Sequence, residues 1–253
     1  MKLNFFTVIA LIIILMITLI GFIGCEMYQE KNIEKNIEKN TESIDVSYRK
    51  SLEQIFIKEK GKGLYYNGIN QDYSHVVYIK DVQEKPELTI ISMEGTILNS
   101  ENEMSAQRTF DIQYVINNNS IREIIRNHDI YKADGNMETL HSIIPNQIIL
   151  QGPLEEGNLW FQKFSYLGRE YTAQTTLVHV SENEERKKIY KTETKVEGIE
   201  GFPDNTYTEI RMYKEGKGLV LFQNSQPIIN GDGTENNTMF KYVLSSVREV
   251  VEN

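Results

Sequence analysis

KEGKGLVLF (Lys214–Phe222) repeats, with small changes, an earlier stretch, KEKGKGLYY (Lys58–Tyr66). Gly-Lys-Gly has two readings, a loop that cradles phosphate or a tight turn leading into a strand, and the fold depends on which holds. A phosphate loop needs G-x-x-x-x-G-K-[ST] between a buried strand and a helix. Here the glycines stand too close together, Leu follows where Ser or Thr is needed, and an apolar or aromatic run comes next both times. Glycine tolerates the positive φ that tight turns between antiparallel strands require. Both copies are therefore read as turns, at Gly61–Gly63 and Gly216–Gly218, each closing a hairpin.

Outward from these turns the chain keeps a period of two. HVVYIKDV (His75–Val82), ELTIISMEGTI (Glu87–Ile97), RTFDIQYVI (Arg108–Ile116) and SIREIIR (Ser120–Arg126) read as successive strands separated by turn-forming residues. After IIPNQIILQG the pattern resumes in NLWFQKFSYLG, EYTAQTTLVHV, KIYKTETKVEGI, TYTEIRMYKEG, LVLFQN and MFKYVLSSV. Fourteen Tyr and ten Phe, with many Ile, Val and Thr, suit pleated and half-buried strands. No body segment sustains a capped 3.6-residue period over ten residues; SLEQIFI (Ser51–Ile57) is the best candidate for a helical turn. The expectation is a mainly β protein of antiparallel meanders, forming a half-barrel or two small barrels.

Charge suggests one register. TETKVEG and TYTEIRMY flank IEGFPDN, whose Gly201, Pro203, Asp204 and Asn205 supply turn chemistry. Setting Glu197 opposite Tyr207 places Lys195 opposite Glu209 and Glu193 opposite Arg211, two complementary pairs on one face, each expected to add roughly 0.2–1 kcal/mol. Val196, Ile210 and Met212 would then share the other face.

Three motifs punctuate the body: GKGLYYNG (Gly61–Gly68), LQGPLEEGNLW (Leu150–Trp160) and YKEGKGLV (Tyr213–Val220). Together they resemble the G-x-x-aromatic-x-Y-x-G, L-x-x-P-L-x-x-G-x-x-W and Y-x-x-G-x-G-L-V elements of uncharacterised lipoproteins and secreted proteins of low-GC Gram-positive bacteria. The resemblance covers roughly residues 55–247 and departs at Leu64, where an aromatic residue is expected. It implies a duplicated β module outside the cytoplasm and brings no catalytic residue with it. Aligning Gly61 with Gly157 sets Leu64 against Trp160, so residues 51–147 and 148–253 are read as two similar halves. Gly61, Gly63, Gly157, Gly216 and Gly218 are then structural turn residues.

The N-terminus points to the same location. Phe5–Ile23 is a 19-residue run without charge, just long enough to span a membrane. The single cysteine, Cys25, follows Phe22-Ile23-Gly24. That order resembles a bacterial lipobox, with Phe22 where Leu is usual, and it implies a signal peptide over 1–24 and a diacylglycerol-modified Cys25. A signal anchor that happens to contain a cysteine is the competing reading. Residues 25–50 read as lipid anchor and flexible linker. The four-residue repeat in KNIEKNIEKN stacks like charges at i, i+4, which weakens a helix, and Ile33 and Ile37 bury too little to hold one. As a coil such a tether reaches about 25–30 Å.

Composition narrows the function classes. Beyond residue 25 the chain carries 26 basic and 36 acidic residues, a net charge of −10. An acidic surface argues against nucleic acid and against broad contact with anionic lipid, so the membrane is expected as a partner only through the lipid on Cys25. His75, His128, His141 and His179 have no ligand spacing and no second cysteine, so no metal or cofactor is expected. No G-x-S-x-G elbow is present. NGDGTENN (Asn230–Asn237) lacks the order of a calcium loop and reads as a hairpin loop. Of the strand carboxylates Glu193, Glu197 and Glu209, the first and last already have cationic partners in the register above, and Glu197 stands opposite Tyr207. The expected function is a membrane-tethered, non-catalytic binding or scaffold module at the bacterial cell envelope. Trp160, Tyr65 and Tyr66 are its candidate platform for an apolar, peptide or glycan ligand. The alternative is an envelope hydrolase using strand carboxylates.

Overall fold

Twelve antiparallel strands and one short helix follow one another in a computed structural model that describes residues 47–68, 74–98, 104–126, 142–225 and 239–249. The strands are β1 (Lys62–Gly68), β2 (His75–Glu84), β3 (Thr89–Leu98), β4 (Met104–Ile116), β5 (Ser120–Arg126) and β6 (Gln147–Gln151), then β7 (Leu159–Tyr166), β8 (Arg169–Glu182), β9 (Lys188–Glu197), β10 (Thr206–Lys214), β11 (Gly218–Ser225) and β12 (Met239–Glu249). Helix α1 (Arg49–Glu53) precedes them. The signal segment, the linker to residue 46, His128, His141 and the 230–237 loop lie outside the described residues.

All twelve strands belong to one sheet, in the order β6-β5-β4-β3-β2-β1-β12-β11-β10-β9-β8-β7. Two six-stranded meanders are thus joined by pairing of the first strand with the last, and the sheet curls into a nearly closed barrel. The meanders change over at the turn between β6 and β7, so a boundary drawn at residue 147 runs through β6. Alternation along each strand fills the interior. Tyr190, Thr192, Thr194 and Val196 of β9 are buried while Lys191, Glu193, Lys195 and Glu197 face out. Phe110 lies flat over its cross-strand partner Gly95, where a Cβ would come within 2.1 Å of the ring.

The segment from Ser47 to Gly61 caps one end of the barrel. Leu52 and Ile55 are wholly buried there. The cap is fastened to the turns at that end: Tyr48 N–H donates to Asn118 O, while Gly216 and Gly218 N–H donate to Gln54 O and Ile55 O at 2.8 and 2.7 Å. Arg49 donates to Lys85 O and Pro86 O, and to Thr89 Oγ1 at 3.0 Å.

These contacts explain the two GKG copies, and they differ. Gly216 and Gly218, both at positive φ, form the β10–β11 hairpin turn and hold the cap through their amides. Gly61 (φ +82°) instead turns the chain from the cap into β1, and Gly63 lies within that strand, so this copy closes no hairpin.

The β9–β10 register also differs from the charge-based expectation. Glu197 pairs with Thr206, Val196 with Tyr207, Lys195 with Thr208 and Glu193 with Ile210. The shift is one residue, and one residue exchanges every side chain between the faces of a strand. Glu193 and Lys195 stay outside, 3.1 Å apart on their own strand. Glu209 and Arg211 turn inward with Tyr207 and Tyr213. The connection sets this: Asn205 and Asp204 take positive φ, and Ile199 N–H donates to Asn205 O, ending the turn one residue earlier than the charge pattern requires.

Candidate functional site

The inward face of β10 carries Tyr207, Glu209, Arg211 and Tyr213, and Arg211 is the largest fully buried side chain of the described protein. Its guanidinium lies against the Phe222 ring at 5.1 Å and donates to four side chains, the longest bond running from Nη1 to the Tyr213 hydroxyl at 3.4 Å. Nε donates to Glu209 Oε1 at 2.6 Å, Nη1 to Glu123 Oε1 at 2.8 Å and Nη2 to Gln147 Oε1 at 2.8 Å. Glu123 and Gln147 are cross-strand neighbours on β5 and β6, so Arg211 reaches across the interior from the second meander to the first.

Further hydrogen bonds extend the cluster. Gln147 Nε2 donates to Glu209 Oε1 at 3.0 Å, and the Tyr207 hydroxyl donates to Glu209 Oε2 at 2.7 Å. Asn224 Nδ2 donates to the Tyr207 oxygen, and the Thr175 and Thr194 hydroxyls bond each other at 2.9 Å. Burial alone pushes the Glu209 carboxyl up, but the Arg211 charge and the hydrogen bonds from Ser142, Tyr207 and Arg211 outweigh it and hold it below the ordinary range. Burial works against the Arg211 charge, and the Glu123 and Glu209 carboxylates more than restore it. Charges this deep persist only when paired and hydrogen-bonded.

Beside the cluster, toward the cap, aromatic side chains close around His75. Its ring stacks on Tyr66 (4.7 Å, 14°) and meets Tyr242 edge-on at 4.6 Å. Tyr66 donates its hydroxyl to Leu219 O at 2.9 Å. Burial pushes the Tyr66 and Tyr114 hydroxyls far above the ordinary range, with the Glu123 charge adding to it. A cavity of about 20 Å³ remains between Phe56 of the cap, these rings and Glu123, room for one water-sized molecule. Among the described residues, the interior is packed with the protein's own side chains.

The residues expected to form a ligand platform are not brought together. Tyr66 points inward; Tyr65, its neighbour on β1, points outward under the Arg248 guanidinium at 5.0 Å. Trp160 is buried at the gap between β6 and β7, where its Nε1 donates to Ile148 O at 2.9 Å. Gly157 (φ +90°) makes the turn before it. His179 is exposed beside Glu156, and no group of three or more His, Cys, Asp or Glu among the described residues is placed to hold a metal ion. A groove of about 200 Å³ crosses the outer face of β2–β5, lined by Lys80, Asp111, Gln113 and Arg126 among others.

Reading the sequence alone missed Glu123, Gln147 and the inward turn of Glu209 and Arg211. The available signal was Y-x-E-x-R-x-Y (Tyr207–Tyr213), charges flanked on their own face by two tyrosines.

No family model matches the chain, and no curated protein does. Two solved structures are similar to it in backbone course. One, from Bacteroides fragilis, is described as an exported protein with a YmcC-like fold; it is 10% identical, with 77% of this chain and 98% of that chain covered at a TM-score of 0.43. The other, from Parabacteroides distasonis, is described as a lipoprotein; it is 11% identical, with 81% and 100% covered at a TM-score of 0.39.

Proposed function

We propose that this chain is a lipoprotein anchored through Cys25 on the extracytoplasmic face of the cell membrane, where its barrel serves as a non-catalytic scaffold or binding module. The observation that carries the non-catalytic part is the filled interior: Glu123 and Glu209 are 5% and 1% exposed, and one guanidinium holds both. A hydrolase reading needs a carboxylate pair within reach of substrate, and these two face Arg211 instead. Contacts with a peptide or glycan then fall to the outer surface, where the groove of Lys80, Asp111, Gln113 and Arg126 offers donors and acceptors of both charges. The anchor rests on the uncharged run before Cys25 and on the lipobox resemblance; two acyl chains at about 0.8 kcal/mol per buried methylene hold a protein stably where one is marginal.

Metabolic labelling with an alkyne fatty acid tests the anchor. The chain should incorporate label and shift to the size of a product starting at Cys25, and Cys25→Ser should abolish both. An unlabelled wild-type chain, uncut or cut elsewhere, rejects it. Native mass spectrometry of the purified full chain tests the barrel: a lipid or glycan retained in the interior would overturn the filled-barrel reading.

A further inference from the structure

Glu123 holds the one oxygen of the ion cluster that the described protein leaves without a hydrogen bond. Its Oε1 accepts from Arg211 Nη1 at 2.8 Å; its Oε2 accepts from no described residue. The side chain is 95% buried and lines the cavity of about 20 Å³ beneath the cap. Tyr114, the direct cross-strand partner of Glu123 on β4, lines the same cavity, and its buried hydroxyl likewise bonds to no described residue. Directly opposed side chains on one face leave backbones with their Cβ atoms about 4.5–5.5 Å apart. A carboxylate-bearing and a hydroxyl-bearing side chain thus border the same water-sized space. Buried polar atoms of this kind are bonded almost without exception, to protein or to ordered water.

We propose that this cavity is a binding site for one water molecule, which donates to Glu123 Oε2 and bonds the Tyr114 hydroxyl. The space is large enough for one water and offers the two polar partners that a buried water needs at minimum. The water completes the cluster: with Oε2 occupied, every carboxylate oxygen facing Arg211 is bonded. Phe56 of the cap forms part of the cavity wall and packs on the Tyr114 ring at 4.4 Å, so the cap covers the site. The competing guest is a small monovalent cation, because the cluster sets two carboxylates against one guanidinium.

Crystals of the full chain grown in rubidium chloride distinguish the two. The expected result is a single density peak within hydrogen-bonding distance of Glu123 Oε2 and the Tyr114 hydroxyl, with no anomalous signal at the rubidium edge. No peak, or an anomalous one, overturns the proposal. Tyr114→Phe removes one partner of the water and leaves the Arg211–Glu123 pair intact. That variant should lose or weaken the peak and melt lower, by about 2–4 °C for a chain of this size. An unchanged peak together with an unchanged melting temperature would show that Tyr114 does not hold the guest.

Discussion

At one junction of the two meanders, β1 and β12 run antiparallel along all seven residues of β1, from Lys62 opposite Glu249 to Gly68 opposite Tyr242. At the other, β6 and β7 share no ladder, and side chains bridge them instead. Trp160 Nε1 donates to Ile148 O, and Gln162 Oε1 accepts from Ile148 N–H at 2.7 Å while its Nε2 donates to Asn146 O. Asn158 Nδ2 donates to Gln151 O and Pro153 O. A ladder uses groups that nearly every residue carries; this seam uses three particular side chains. It also has a tie behind it, because Arg211 grips Glu123 and Gln147 on the strands beside the gap.

Breaking that tie should have the largest effect. Arg211→Met leaves two buried carboxylates without their cation and should cost about 3–5 kcal/mol, read from the urea midpoint. A midpoint within error of wild type would mean that the cluster does not hold the seam. Acid should weaken the same tie without mutation. The Glu209 carboxyl sits below its ordinary value in the folded chain, so its contribution is complete above the unfolded carboxylate value near 4.5 and is lost as the pH falls through the lowered one. Stability measured against pH should therefore fall below about pH 4.5, and Glu209→Gln should flatten that fall.

The seam itself comes next. Trp160→Phe keeps most of the packing but strips Ile148 O of its donor, which should cost about 1–3 kcal/mol. Hydrogen exchange gives the matching contrast: the Ile148 amide should exchange faster than that of Leu64 in the β1 ladders, and faster still in Gln162→Ala. Equal protection at both junctions would erase the distinction. At the ladder junction, Lys62→Ala removes an exposed pair with Glu249 and should leave the unfolding midpoint unchanged.

Much of the strand pattern was legible in the sequence because burial on one face writes an alternation. Lys191, Glu193, Lys195 and Glu197, every second residue, mark the outside of β9. β10 resisted the same treatment. One face offers Ile210 and Met212 and the other Tyr207 and Tyr213, so hydrophobicity does not choose between them. Complementary charge was a misleading guide, since Glu209 and Arg211 bond each other two residues apart on one strand. Glu123 was harder still: its partner lies 88 residues away, and nothing local marks a lone Glu in SIREIIR as interior. The β1–β12 junction left no local trace either, because backbone pairing makes little demand on side chains.

The pairing of first strand with last also has a consequence in time. Lys62 and Glu249 stand 187 residues apart, and the cap at Gln54 and Ile55 hangs on amides at 216 and 218. A chain that appears from its N-terminus onward forms β1 early, yet the partner on one side of that strand is the last to arrive. Until residues 216–218 arrive the cap lacks part of its seat, and until β12 arrives β1 exposes an unpaired edge of the kind that recruits other chains. Long-range closure of this kind makes folding slow. The interval between the first strand and the last is when this protein is most exposed to aggregation.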